Sequence, residues 1–165
     1  MNRKESVLNK LQEWGIAYNV YEHPAAPTVE IAKEYWAKIP EQAQHCKNLF
    51  FRNHKGNRHY LVIFDCDKNI AIHDLEKSLQ QGKLSFASEA RMLKYLDIQP
   101  GSVSPFGLIN DTENHVYLFI DKNLELAEKL SFHPNDNTAS VVISNHDFKH
   151  FLQLCGNNYE YITLY

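Results

Sequence analysis

The chain has 165 residues, enough for one domain with a sizeable core. Hydrophobic residues make up 44% and charged residues 22%, and no apolar run is long enough to span a membrane. The formal net charge of -3 argues against broad electrostatic binding to nucleic acid but leaves room for a local basic patch.

Val7, Leu8, Leu11 and Trp14 recur at helical spacing, and Gly15 is placed to stop that first helix. Ile16 to Tyr21 reads as a short strand, and His23-Pro24-Ala25-Ala26-Pro27 as a rigid connector. Thr28 caps a helix through Val29–Lys38, with Glu30 favourably near its N-terminus. Strands at about 46–52 and 59–64 flank Asn53-His54-Lys55-Gly56-Asn57, a hairpin loop whose glycine supplies the positive φ. Ile72–Gln81 and Ser88–Leu96 read as helices, with Leu84-Ser85-Phe86-Ala87 between them too short to classify. Pro100 to Gly107 reads as a loop. Val116–Ile120 and Ala139–Ile143 read as strands, Ser144 caps a last helix ending near Gly156, and Tyr159–Leu164 returns as an edge strand. Strands and helices interleave irregularly around one clear hairpin. That favours an α/β fold with a mixed sheet and packed helices, one domain over residues 1–165, rather than a doubly wound parallel fold.

The N-terminus, Met1-Asn2-Arg3-Lys4-Glu5, lacks the apolar stretch of a signal peptide. Cys46, Cys66 and Cys155 are odd in number and form no CxxC pair, so neither a disulfide framework nor a zinc site is expected, and the reducing cytoplasm is the natural compartment. GxSxG, Walker, HExxH and GxGxxG signatures are missing. Of the nine histidines, only His146 and His150 have the i, i+4 spacing of a helical metal site, and they lie opposite the apolar face Phe148, Phe151, Leu152 and Cys155. No metal and no organic cofactor is expected.

The residue that most needs explaining is Lys47, in the run His45-Cys46-Lys47-Asn48-Leu49-Phe50-Phe51. On a strand it shares a face with Leu49 and Phe51, while Cys46, Asn48 and Phe50 take the other. A lysine in such a row either snorkels to the strand end or meets water, an anion or a carbonyl. Cys46 points away from the lysine that would activate it. A basic cluster, Arg52, His54, Lys55, Arg58 and His59, surrounds Gly56 and is either a solvated hairpin tip or a phosphate-binding site. The segments Gly101-Ser102-Val103-Ser104-Pro105-Phe106-Gly107, Ile109-Asn110-Asp111 and Phe132-His133-Pro134-Asn135-Asp136-Asn137-Thr138 have compositions suited to shaped backbone. His133 either positions a substrate amine or carbonyl, or caps the turn with Pro134.

Read in order, Trp14-Gly15-Ile16-Ala17-Tyr18, Glu22-His23-Pro24, Thr28-Val29-Glu30, Cys46-Lys47-Asn48-Leu49-Phe50, Lys83-Leu84-Ser85-Phe86-Ala87, the 101–107 segment, Asn110-Asp111, Asp121 and Phe132-His133-Pro134 form a specific set. From about residue 5 to 155 the chain resembles the YbaK/prolyl-tRNA-synthetase-associated deacylases, and within them the free-standing ProX (PrdX) branch. The resemblance implies trans-editing: hydrolysis of the aminoacyl ester of mischarged proline tRNA, alanine being the amino acid removed in the branch it looks most like. Cysteine or serine is the alternative within the family, and a non-catalytic binder of aminoacyl-tRNA is the alternative outside it. The resemblance places the essential lysine on Lys47 and the Gly-x-x-x-Pro loop on Gly101 to Pro105, so catalysis is expected from Lys47 and Gly101. Asn48, Ser102, Val103, Ser104, Pro105 and His133 are expected at the substrate. Arg52, Lys55 and Arg58 of the hairpin, with Lys83 where the family commonly has Arg, are expected to contact the tRNA acceptor end. A monomer is expected, with prolyl-tRNA synthetase as a further partner.

Overall fold

The structure, a computed structural model, describes residues 1–165. Eight strands, β1 (Asn19–Glu22), β2 (Gln44–Asn53), β3 (His59–Asp65), β4 (Leu84–Phe86), β5 (Val116–Asp121), β6 (Lys129–Phe132), β7 (Ala139–Ser144) and β8 (Tyr159–Ile162), form one mixed sheet. Its order is β1-β7-β6-β2-β3-β5-β8, with β4 added to β2. Five helices pack on it: α1 (Arg3–Glu13), α2 (Val29–Trp36), α3 (Ile72–Leu79), α4 (Glu89–Leu96) and α5 (Asn145–Cys155). The expected mixed α/β architecture is what the chain adopts.

The alternation of strand side chains divides the interior in two. Leu61 and Ile63 of β3 enter a large core with Val7 and Leu11 of α1, Leu96 of α4 and Phe148, Phe151 and Leu152 of α5. Tyr60, Val62 and Phe64 of the same strand enter a smaller core against Leu75 and Leu79 of α3. On β2, Cys46 and Phe50 face the first core and Phe51 the second, so both faces of the Lys47 strand carry core side chains. Asn2, Thr28, Ser88 and Ser144 cap α1, α2, α4 and α5 by accepting from backbone amides of the first turn.

Several boundaries differ from the sequence reading. The first strand begins at Asn19, because Ile16 is spent as a buried plug under α1, its amide bonded to the Leu11 carbonyl. Leu84–Phe86 is a strand, fixed by pairing with β2 rather than by any pattern of its own. The 100–107 loop is a loop only in its first half. Ser104 caps a 3-10 helix over Pro105–Asn110, with proline in its favoured first turn. Phe132 is not in a loop but ends β6, a four-residue strand held between β2 and β7.

β2 is where the sheet divides. One side pairs along its length with β3. On the other, Gln44 and His45 pair with β6, and Phe51 to Asn53 pair with β4. Between those ladders lies a gap beside residues 46–49. The amide of Cys66 donates to His45 and that of Asn53 to Arg58, so odd-numbered residues of β2 spend their backbone groups on β3. The amide and carbonyl of Asn48 therefore open into the gap.

Candidate functional site

The gap is a cavity of about 330 Å³. Residues Cys46 to Phe50 of β2 form its floor, Ala26 to Val29 with Ala32 and Trp36 one wall, and Phe86, Met92, Pro100, Gly101, Val103 and His133 the rest. Segments far apart in sequence thus meet: Lys47, the start of the 101–107 segment, and His133.

Lys47 reaches the strand end, as one sequence reading had it, and finds a carbonyl there, as the other did. Its Nζ donates to the Lys68 carbonyl at 2.6 Å and to Asn69 Oδ1 at 2.5 Å. Both acceptors are uncharged. Asp67, on the same loop, is held by Lys33 of α2 at 2.6 Å. The ammonium is anchored without being neutralised, so its charge remains available to a developing anion.

Gly101 has φ +84°, and a Cβ there would come within 3.2 Å of the Pro27 carbonyl oxygen. Glycine lets this loop adopt a left-handed turn hard against the 23–27 connector. The amides of Gly101 and Val103 have no acceptor in the protein, whereas that of Ser102 donates to Gln99. Two lining residues thus carry unspent donors. The other loop candidates go elsewhere: Ser102 is buried, and Ser104, with no exposure, caps the 3-10 helix at Phe106, with Pro105 buried behind it. These three shape the loop and do not line the cavity.

His133 Nδ1 donates to the Ala139 carbonyl at 2.8 Å, which leaves Nε2 as a lone-pair acceptor. Burial pushes its pKa below the usual histidine value, against the smaller upward pull of that carbonyl, so the ring is neutral near pH 7. Asn48 lines the same space, and its Oδ1 is buried without a partner. Cys46 sits there too, but burial drives its thiol well above the ordinary value, and a protonated thiol is no nucleophile.

Sequence reasoning missed the wall. His45 stacks on Trp36 with ring centroids 4.2 Å apart, and burial, then the nearby His133, lowers its pKa to about 4. Trp36 Nε1 donates to Ser140 Oγ at 3.1 Å, and His23, whose Nδ1 donates to the Pro24 carbonyl, meets the same hydroxyl at 2.9 Å. Met92 and Phe86 complete the mouth. The His23-Pro24 pair was the available signal; nothing marked Trp36, Met92 or His45 as other than core.

The basic candidates gather outside the cavity. Lys55, Arg58 and Lys83 share a cleft of about 370 Å³ with Asn53, Tyr60 and Gln81. Arg52 does not join them: its guanidinium folds back on the Asn53 and His54 carbonyls, both at 3.2 Å. His146 and His150 are exposed on α5. The one set of side chains with ligand atoms close together is Asp65, Cys66 and Asp67, within 4.8 Å of one another. There Lys33 holds the Asp67 carboxylate, and burial raises the Cys66 thiol to about 11.

Known proteins resemble this chain over the region that holds the cavity. The model of the aminoacyl-tRNA editing domain matches residues 23–151, which span every cavity-lining residue. The chain is 40% identical over 164 residues to prolyl-tRNA editing protein ProX of Acetoanaerobium sticklandii, covering 99% of each. It is 33% identical over 152 residues to prolyl-tRNA synthetase associated domain-containing protein 1 of Bos taurus, covering 90% of this chain and 88% of that one. A crystal structure of a proposed trans-editing enzyme for prolyl tRNA synthetase superposes with a TM-score of 0.71 at 20% identity, covering 99% and 98% of the two chains, which shows a shared fold. With the matched region enclosing the cavity and the likeness running the length of the chain, this protein belongs to the aminoacyl-tRNA editing domain family.

Proposed function

We propose that the chain is a trans-editing deacylase that hydrolyses the ester of mischarged proline tRNA, alanyl-tRNA(Pro) being its preferred substrate. The observation that carries this is the meeting of an un-neutralised lysine, two free backbone amides and a neutral histidine acceptor in one small cavity, in a chain so similar to a prolyl-tRNA editing protein.

An aminoacyl ester is already activated, so water suffices as nucleophile and neither a covalent intermediate nor a cofactor is called for. The amides of Gly101 and Val103 donate to the carbonyl oxygen as it becomes an oxyanion, and Lys47 supplies positive charge nearby. Asn48 Oδ1 accepts from the substrate ammonium. His133 Nε2 accepts from the ammonium or from the attacking water. The apolar wall of Ala26, Ala32, Val103 and Met92 excludes larger side chains. A synthetase pocket shaped for proline rejects the smaller alanine weakly, each methylene being worth ~1–3 kcal/mol, and a second, smaller pocket supplies the missing discrimination. The cleft of Lys55, Arg58 and Lys83 takes acceptor-end phosphates. In this reading the protein is a single editing domain that works as a monomer in the cytoplasm, with proline tRNA and prolyl-tRNA synthetase as partners. No helix is long and apolar enough to cross a membrane.

The test is single-turnover deacylation of proline tRNA charged separately with alanine, cysteine, serine and proline, by wild type and by Lys47→Ala. Alanine is expected to be removed fastest and proline retained. The variant is expected to lose on the order of 100-fold in rate while keeping its circular dichroism spectrum. A folded variant retaining more than about a tenth of the rate would remove Lys47 from the mechanism and favour a binding module.

A further inference from the structure

Phe86 is a large apolar side chain left 60% exposed at the cavity mouth. The chemistry at Lys47 and Gly101 does not use it. It is not a loose residue. One part of its surface rests on Phe51, which is fully buried, with centroids 4.7 Å apart and the rings tilted by 34°. Its backbone is held by register: Phe86 lies opposite Phe51, Ser85 opposite Arg52 and Leu84 opposite Asn53. The next residue, Ala87, donates its amide to the Phe50 carbonyl at 2.9 Å. A ring seated on one side, open on the other and carried by a paired strand is a prepared surface.

Its position along the chain suggests what that surface receives. Three residues earlier, ~10 Å along an extended strand, Lys83 lines the cleft that also holds Lys55 and Arg58. The short strand β4 therefore connects the basic cleft to the cavity. A single strand that follows β4, with its phosphates in the cleft and its 3′ end in the cavity, passes Phe86.

We propose that Phe86 is the stacking platform for the terminal base of the acceptor end, an inference that rests on aminoacyl-tRNA being the substrate. The ester to be cleaved is borne by the ribose of that last nucleotide. Seating its base on Phe86 fixes the ribose, and through it the ester carbonyl, relative to the Gly101 amide and the Lys47 ammonium. A phenyl face stacks on any base without hydrogen bonds, so the platform orients the end without reading sequence. Phe86 thus acts on binding and orientation, while discrimination among amino acids stays with the cavity wall.

The test uses the full chain and a non-hydrolysable probe, 3′-alanylamido-3′-deoxyadenosine, beside the same probe lacking the base. Dissociation constants are measured by calorimetry for wild type, Phe86→Ala, Phe86→Leu and Phe86→Tyr, with single-turnover deacylation of alanyl-tRNA in parallel. The expected result is about a tenfold or greater loss of affinity for the complete probe in the alanine and leucine variants. Phe86→Tyr is expected to stay near wild type, and the baseless probe is expected to bind all four proteins alike. Wild-type affinity in Phe86→Leu would show a general apolar contact and overturn stacking. Unchanged binding and rate in Phe86→Ala, with wild type hydrolysing alanyl-tRNA, would overturn the platform alone. Failure of the wild type to hydrolyse any charged tRNA would overturn the parent reading and the platform with it.

Discussion

At the scale of single residues, the site depends on two positions with opposite demands. Gly101 must have no side chain. Alanine there would be forced to φ +84° with its Cβ 3.2 Å from the Pro27 carbonyl oxygen and 3.3 Å from its Cα, so the loop or the connector must shift. Because Gly101 and Val103 carry the free amides, Gly101→Ala is expected to lower the single-turnover rate tenfold or more while thermal unfolding moves only by a few degrees. An unchanged rate would take the loop amides out of the mechanism. Cys46 is the contrasting case. It lines the cavity and neighbours Lys47 in sequence, which tempts a nucleophile assignment, yet it is 7% exposed and burial holds its thiol protonated. Cys46→Ala is expected to deacylate within about threefold of wild type, since a small buried thiol contributes packing rather than chemistry. A hundredfold loss, or inactivation by iodoacetamide that substrate prevents, would reverse that assignment.

At the scale of elements, β2 is both scaffold and site, and the divided sheet explains how. A fully paired β2 would leave no opening; the gap between β6 and β4 exposes Asn48 and lets helix α2 form a wall over it. The sequence already marked this strand, because a lysine among Leu49, Phe50 and Phe51 breaks the expected pattern of burial. It did not mark β6, since Lys129 to Phe132 is too short for a periodic signal and becomes a strand only by lying between β2 and β7. Trp36 and Met92 were equally silent: an apolar residue on an amphipathic helix reads the same whether it faces a core or a cavity. The hairpin joining β2 to β3 was legible as basic but not in its detail, because Arg52 spends its guanidinium on its own loop. Lys55→Gln, Arg58→Gln and Lys83→Gln are therefore each expected to weaken tRNA binding and to lower the slope of log affinity against log salt, by about 0.7–0.9 for each phosphate no longer neutralised. Arg52→Gln is expected to change that slope least. Equal slopes for all four variants and wild type, in filter-binding titrations from low to moderate salt, would remove the cleft from the tRNA interface.

At the scale of the whole molecule, enclosed histidines tie stability to pH: His133 at the site, and with larger shifts His45 and His59. His59, 1% exposed, sits behind the hairpin in a directed chain: Arg91 donates to its Nε2 at 3.0 Å, so its proton resides on Nδ1, which meets His115 Nε2 at 2.9 Å. The same arginine donates to the Gly56 carbonyl at 2.8 Å, clasping the hairpin to α4. Burial, then His115 and Arg91, lowers the His59 pKa to about 4, and burial beside Trp36 lowers that of His45 to about 4. Both are therefore neutral in the fold at pH values where the unfolded chain, with histidine near 6.5, begins to bind protons. The stabilisation is fully present above pH 6.5 and is lost as pH falls from there through 4, each histidine contributing a slope of up to ~1.4 kcal/mol per pH unit. Glu22, Glu41 and Asp67, whose pKa values are lowered by their lysine partners, add their loss only at the acid end of that window. Urea unfolding at pH 7.5, 6.5, 5.5 and 4.5 is expected to show a level stability above 6.5 and a steady decline below it. His59→Gln, whatever its cost at pH 7.5, is expected to make that decline shallower, because it removes a proton-binding site from the unfolded chain. A decline of unchanged slope in the variant would show that His59 is already protonated in the fold, with the Arg91 clasp rearranged to accommodate it.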